Sequence, residues 1–416
     1  MKTWITYLAA VAMGLSATFL LGDYAIFTTI MEYTSAVLMD AGLFILFPMV
    51  FIIFTSGIAA LRRHARTVTM FSTTIFWSLL TAVILSGFSA AIFLVFPKGV
   101  DHITTMGSDV SALTAIAPLE ISQLIPLLIA RNSFVQFFIT DKFLLPLLMV
   151  AFLLGIALKP DMEIVRPAYV VMNSFSEALF RLARMFTLFG AFCIGVISCH
   201  WFNTLDAEEL FFKNLRFFSV MGIGLFAALF ILLPLLYTLA TRFRGGNPYR
   251  ILGGVLSACV VGFFTSNILY TATPLIATSR QNNGVQKSVV GTTVPLYSLI
   301  GRGGSALVAT IAIISLTMSV QGAVPPLRIL MYTAGLSTLF SMLCSIHLGY
   351  EVLFIVTMVL RTLGIDLQGA QMMVVLLLPL LNGAGLVLDT AIAAFGSAYT
   401  SRTIGPRTPV AYRDIL

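Results

Sequence analysis

The sequence predicts an all-α, polytopic membrane protein with ordinary spans in its N-terminal part and broken helices in its C-terminal part. Three observations lead there. Of 416 residues, 59% are hydrophobic and only 10% charged, and the mean hydropathy is +1.00, a balance foreign to soluble globular chains. Apolar runs of about 20 residues, the length that crosses a hydrocarbon core, recur as far as residue 250. Beyond Arg250, prolines, glycines and polar residues cut the same kind of run into short arms.

Taken in order, six runs read as spans: Trp4 to Leu21, Ala36 to Leu61, Thr69 to Phe96, Phe143 to Leu158, Ser176 to Phe202 and Phe217 to Leu239. The first follows Lys2 and contains a small-residue Leu-Ser-Ala, as a signal peptide would. Its apolar run continues past Ala17 to near membrane length, so an uncleaved span is expected. The stretch from Lys98 to Gln136, with Asp101, Asp109 and Glu120, is polar enough for an external loop.

After Arg250 the interruptions are Thr265-Ser-Asn267, Pro274, Pro295, Gly301 to Gly304, His347-Leu-Gly-Tyr-Glu351, Pro379 and Asn382-Gly-Ala-Gly385. The segments 251–320 and 327–399 share a plan of arm, polar break, second arm and a long Gly-interrupted segment. Paired broken segments of opposite orientation, an inverted repeat, mark the midplane site of a secondary transporter. The pattern therefore changes at about residue 250, from ordinary spans in 1–250 to broken segments in 251–416.

Arg302 lies inside one of these membrane-length segments. An unpaired cation near the bilayer centre is costly, so it needs a partner, an anionic ligand or a wet cavity. Backbone unwound by Gly301, Gly303 and Gly304 survives only where protein or a cavity satisfies it. With a cytoplasmic N-terminus and helices crossing in turn, sixteen Lys and Arg fall inside and seven outside, with Arg302 left in the membrane. That asymmetry puts both termini in the cytoplasm. The absence of a transit signal suggests the cell membrane, the inner one in a bacterium.

The net charge of +7 sits at the ends of apolar runs, which argues against nucleic acid. Cys193, Cys199, Cys259 and Cys344 lie in apolar runs without a C-x-x-C pair, so neither a disulfide framework nor a zinc site is expected. No Ser/His, paired-Asp or His-Glu-x-x-His constellation appears in the spans, so the chain does not read as an enzyme. No cofactor is expected. Glu177, Arg181 and Arg184 read as a solvated helix start, and the charge run at residues 62–66 as a topology signal.

Several segments resemble the dicarboxylate/amino acid:cation symporters, which include glutamate and aspartate transporters. Pro48-Met-Val-Phe51 with Ser56-Gly-Ile-Ala-Ala-Leu61 resembles the family's second helix, and Leu153-Leu-Gly-Ile-Ala-Leu158 the end of its fourth. Phe264-Thr-Ser-Asn267, followed by Ala272-Thr-Pro274, resembles the tip of the first re-entrant hairpin. Residues 294–307 align without gaps to the seventh helix and its Asn-Met-Asp-Gly-Thr signature. Met358-Val-Leu-Arg-Thr-Leu-Gly364 resembles the end of the second hairpin. The resemblance implies a glutamate-transporter-like fold with eight transmembrane helices and two re-entrant hairpins, a homotrimer and an elevator-like transport domain, with residues 1–250 mainly scaffold and trimerisation and 251–416 the transport core.

The family's ion ligands do not carry over. In the signature, Gly301, Arg302 and Gly303 stand at the asparagine, methionine and aspartate positions, while Gly304 and Ser305 keep the glycine and a hydroxyl. Sodium needs a cage of oxygen ligands, and a guanidinium opposes it. In the last helix Leu381, Ala384, Leu388 and Ile392 occupy the polar positions, with Asn382 and Asp389 each one residue off. The second hairpin's glycine-rich tip is replaced by the bulkier, acidic His347 to Glu351.

Two readings of Arg302 stand side by side. It binds an anionic solute through its fork of donors, or it forms a structural ion pair with Glu351 or Asp389 that stands in for the lost sodium. Glu351 and Asp389 are also candidates to carry a coupling proton. Ser266, Asn267, Thr271, Ser305 and Asn382 are candidate solute ligands, although hydroxyls in membrane helices more often bond to backbone. The expected function is a secondary transporter of a small, anionic organic solute such as a dicarboxylate or amino acid. Coupling is to H+ or Na+, with sodium in doubt. The alternative is a non-transporting member of the fold that acts as a sensor or assembly partner.

Overall fold

A computed structural model describes residues 3–63, 65–95, 144–204, 214–365 and 374–405. The expected external loop at 98–136 lies outside these residues, as do Lys2, Arg407 and Arg413. Among the described residues all regular structure is helical. Seven helices are long and apolar enough to cross a membrane, or eight if one pair bent by 53° counts as a single span.

The first six helices are α1 (Thr3–Leu21), α2 (Ala25–Arg63), α3 (Thr67–Val95), α4 (Leu145–Ala157), α5 (Arg166–Thr204) and α6 (Leu215–Ala240). Two outrun their apolar windows: α2 begins at Ala25 instead of Ala36, and α5 at Arg166 instead of Ser176. Hydropathy stops where hydroxyls begin, but the helix does not. Thr29 and Thr34 donate to the carbonyls of Ala25 and Ile30, so their side chains remain satisfied within the helix. The fourth run yields 13 described helical residues, short of a crossing. In α6 a π turn, Ala228–Leu232, precedes Pro234. There the widened turn accommodates a residue that has no N–H to donate.

The C-terminal elements are α7 (Pro248–Gly254), α8 (Leu256–Thr265), α9 (Ile268–Gln281), α10 (Lys287–Ile300), α11 (Gly303–Gln321), α12 (Leu327–Ser341), α13 (Glu351–Leu363) and α14 (Leu378–Ile404). Helices α8 and α9 form one helix–turn–helix unit around Ser266 and Asn267, and α12 and α13 a second around 342–350. Helices α7 and α8 are the bent pair. The carbonyls freed at the bend are not orphaned, because Asn282 and Asn283 donate to the carbonyls of Gly254 and Ile251 at 2.6 and 3.2 Å.

Three expected interruptions do not end a helix. Helices α9 and α10 run through Pro274 and Pro295, and α14 runs unbroken through Asn382-Gly-Ala-Gly385. Pro379 sits in the first turn of α14, where a missing N–H has no consequence. The glycines of α14 serve contact instead of bending: a Cβ on Gly383 would overlap the Phe263 carbonyl, and one on Gly385 would come within 3.1 Å of Ser305 Cα.

Packing crosses residue 250 at both α2 and α3. Helix α1 lies along α5, and α2 along α5, α4 and α10, whereas α3 packs on α11, α12 and α14 and barely touches α2. Trp77 fixes that choice by donating its indole N–H to the Ile392 carbonyl at 3.0 Å. The centre of the molecule is α11 with α14. In the apolar windows of α10–α11 and α14, 94% and 83% of residues are buried, against 17% in α1. Phe19, Phe44, Phe192 and Phe226 point outward from α1, α2, α5 and α6, a surface suited to lipid.

Candidate functional site

The chain between α10 and α11 leaves the helix at only two residues, Gly301 (φ −86, ψ 47) and Arg302 (φ −101, ψ 32). This corrects the expected extent of the break. Gly303 and Gly304 form the first turn of α11, and neither adopts a left-handed conformation. Their contribution is space. A Cβ on Gly304 would overlap the Gly385 carbonyl and Leu388 Cβ of α14, and one on Gly303 would come within 3.2 Å of the Ala82 backbone in α3. The bare backbone therefore brings the N-terminus of α11 against α14.

That approach puts Asp389 on the unsatisfied N–H groups of the first turn. Its Oδ1 accepts from Gly304 N at 2.6 Å and Ser305 N at 3.3 Å, and its Oδ2 accepts from Ser305 Oγ at 2.7 Å. A carboxylate at a helix N-terminus is favoured by both the orphan donors and the helix dipole. Arg302, wholly buried, stands beside it. Its Nη2 donates to Glu351 Oε1 at 3.1 Å, and its Nη1 is 3.7 Å from Asp389 Oδ2. One guanidinium thus faces two buried carboxylates, one from the start of α13 and one from the middle of α14.

The other candidate residues are held by the protein itself. Asn267 caps α9 by accepting from Leu269 N at 2.9 Å and Tyr270 N at 3.3 Å. Thr271 Oγ1 donates to the Asn267 carbonyl. Ser266, in the left-handed region at φ 46, donates to the Pro379 carbonyl at 3.1 Å and so ties the first tip to α14. Asn382 ties the second tip to the same helix: it accepts from Val352 N at 3.0 Å and donates to the Gly349 carbonyl. Arg302, Ser305, Glu351 and Asp389 therefore form one cluster. Ser266 and Asn382 are fasteners on α14, one turn apart.

Both tips border a cavity of about 530 Å³ against α2 and α5, with Thr265, Ser266, Gly349, Tyr350, Pro379 and His200 among its lining. Among the described residues no cluster of three or more His, Cys, Asp or Glu is placed to hold a metal ion. At the break and just after it, Gly301 and Gly303 supply no side-chain oxygen and Arg302 supplies a positive charge.

A second ion cluster escaped the sequence reading. Glu177 of α5 pairs with Arg280 at the end of α9 (3.0 Å) and with Lys287 at the start of α10 (3.2 Å), rather than with Arg181 one helical turn away. Arg280 also lies 4.4 Å over the Phe180 ring. No spacing rule links residues 103 positions apart. Arg66, from the charge run, donates to the Ile404 carbonyl at 2.9 Å and caps the end of α14.

A model of the sodium:dicarboxylate symporter family matches residues 3–400 of the chain. Excitatory amino acid transporter 1 of Rattus norvegicus is 30% identical over 145 residues, 34% of this chain and 26% of that protein. Neutral amino acid transporter B(0) of Oryctolagus cuniculus is 27% identical over 173 residues, 41% of this chain and 31% of that protein. Its Homo sapiens counterpart is 25% identical over 191 residues, 45% and 34%. The alignments thus span between a quarter and about a third of these relatives' lengths.

Proposed function

Because the chain belongs to the sodium:dicarboxylate symporter family, we propose that it is a secondary active transporter, a symporter or exchanger, of a small anionic organic solute such as a dicarboxylate or an amino acid. The observation that carries this reading is the buried Arg302, with Glu351 and Asp389, where a broken helix, the second tip and the last helix meet. A guanidinium in that position offers the planar fork that suits a carboxylate. Coupling runs through a proton or through exchange instead of family-type sodium binding, since Arg302 already places a cation where the ion ligands would stand. Cytoplasmic termini, a trimer and an elevator-like movement of the core against a scaffold belong to the same proposal. The core then takes in α3 by packing, as well as residues 251–416.

A second reading, a non-transporting sensor or assembly partner, draws support from one observation: Ser266, Asn267, Thr271 and Asn382 all bond within the protein. Uptake separates the two. Purified protein in liposomes should accumulate labelled succinate or L-aspartate down an imposed proton gradient or against a preloaded solute, with little response to sodium. Neither uptake nor counterflow would leave the sensor.

A further inference from the structure

Arg302 and Glu351 are both buried, yet they share a single hydrogen bond, Nη2 to Oε1 at 3.1 Å, where guanidinium and carboxylate can make two in parallel. Arg302 Nε and Nη1 and Glu351 Oε2 find no hydrogen-bond partner among the described residues. Buried polar atoms are nearly always paired, so three orphans in one contact call for an explanation.

The two carboxylates on Arg302 are not equivalent. Asp389 is fixed, because leaving would strip three bonds from the first turn of α11. Glu351 has one side-chain hydrogen bond to lose, and its backbone contacts, to Glu351 and Gly349, are within the same tip. Glu351 follows directly on Gly349 and Tyr350, which line the cavity beside the tips.

We infer that Glu351 is a tethered stand-in for the solute's carboxylate: it occupies Arg302 while the tip of the α12–α13 unit is closed, and a solute carboxylate entering from the cavity displaces it. The inference rests on the transport reading above and adds the determinant of affinity within it. A solute must compete with a carboxylate of the chain itself, so its apparent affinity is reduced by the fraction of molecules in which Arg302 is released. Because Glu351 and Val352 begin one helix, the tip leaves as a unit, and Asn382 is its second fastener. Both edges of a guanidinium that can hold a planar anion, Nε with Nη2 and Nη1 with Nη2, include the Nη2 that Glu351 occupies, so its departure lets an orphaned nitrogen and Nη2 make paired bonds to the solute. Solutes lacking such a group have nothing with which to displace Glu351.

The test compares wild type with Glu351→Gln, which keeps the shape and removes the charge, using the full chain in detergent with succinate and L-aspartate as probes. Glu351→Gln should be less stable without added solute. It should bind succinate at least about tenfold more tightly, with a larger succinate-induced rise in Tm than wild type. Glu351→Asp, with the same charge on a shorter reach, should move both readouts the same way by less, and serves if the glutamine variant does not fold. Lower stability with unchanged or weaker succinate binding would overturn the inference in favour of a structural pair. Weaker L-aspartate binding with succinate unchanged would also overturn it, making Glu351 a ligand for an ammonium group. If wild type and variants all fail to bind or take up either probe, the transport reading falls and the inference with it.

Discussion

The protein carries two ion clusters of mirror-image composition. In one, the cation Arg302 faces the carboxylates Glu351 and Asp389; in the other, the carboxylate Glu177 faces the cations Arg280 and Lys287. Each joins segments distant in the chain. They differ in water: the side chains of the first are at most 1% exposed, whereas those of the second are 23–40% exposed. Solvent screens the second and not the first, so similar distances carry different energies. A buried pair is expensive to assemble and more expensive to break, since removing one partner leaves the other uncompensated.

The largest effect should therefore follow Arg302→Ala, which leaves two buried carboxylates facing each other. A loss of about 3–5 kcal/mol of stability is expected, read as a fall in thermal midpoint in detergent, together with loss of succinate binding. Retained binding in a destabilised variant would assign Arg302 to the structural role alone. A loss under about 1 kcal/mol would break the comparison, because the buried cluster would then behave like an exposed one.

Asp389→Asn sharpens it. The amide keeps an oxygen for Gly304 N and Ser305 N but gives up the charge that strengthens those bonds and faces Arg302. Hydrogen bonds to charged groups contribute about 1.5–3 kcal/mol, and the loss should fall in that range. It should also leave the single Arg302–Glu351 bond as the guanidinium's remaining ionic partner. If the variant matches Arg302→Ala, then charge balance governs the cluster more than hydrogen-bond geometry does.

How much of this was legible follows from the same contrast. An arginine in an apolar run has few possible partners, so its need for Glu351 or Asp389 could be argued from residue types alone. That both stand beside it, on different helices, depends on packing. The break at Gly301 was visible as composition, but the separation of Gly301 from Gly303 and Gly304 was not. Glycine signals an unusual backbone and a close approach with the same letter, and here the last two serve the approach of α14. The prolines misled for a related reason, since a buried helix keeps its course when its neighbours supply the packing. Glu177 had an arginine one turn away and a stronger pair 103 residues on, which no periodicity reaches.

Glu177→Gln tests the exposed end of the comparison. Losing the carboxylate removes two ion pairs at 3.0 and 3.2 Å, yet most of the joint remains. Arg280 still lies 4.4 Å over Phe180, a stacking contribution of about 0.5–1 kcal/mol at an exposed site. Lys287 Nζ still donates to the side-chain and backbone oxygens of Asn173 at 3.0 and 3.1 Å. The expected loss is therefore below about 1 kcal/mol, and it should shrink toward zero at about 1 M salt, where screening acts within about 3 Å. The loss from Arg302→Ala should persist in the same salt, because ions do not reach that cluster. A salt-independent loss above about 2 kcal/mol at Glu177 would mean that the joint between α5 and the α9–α10 segment is as dry in the working protein as the one at Arg302. Its exposure here would then not be the property that sets its strength.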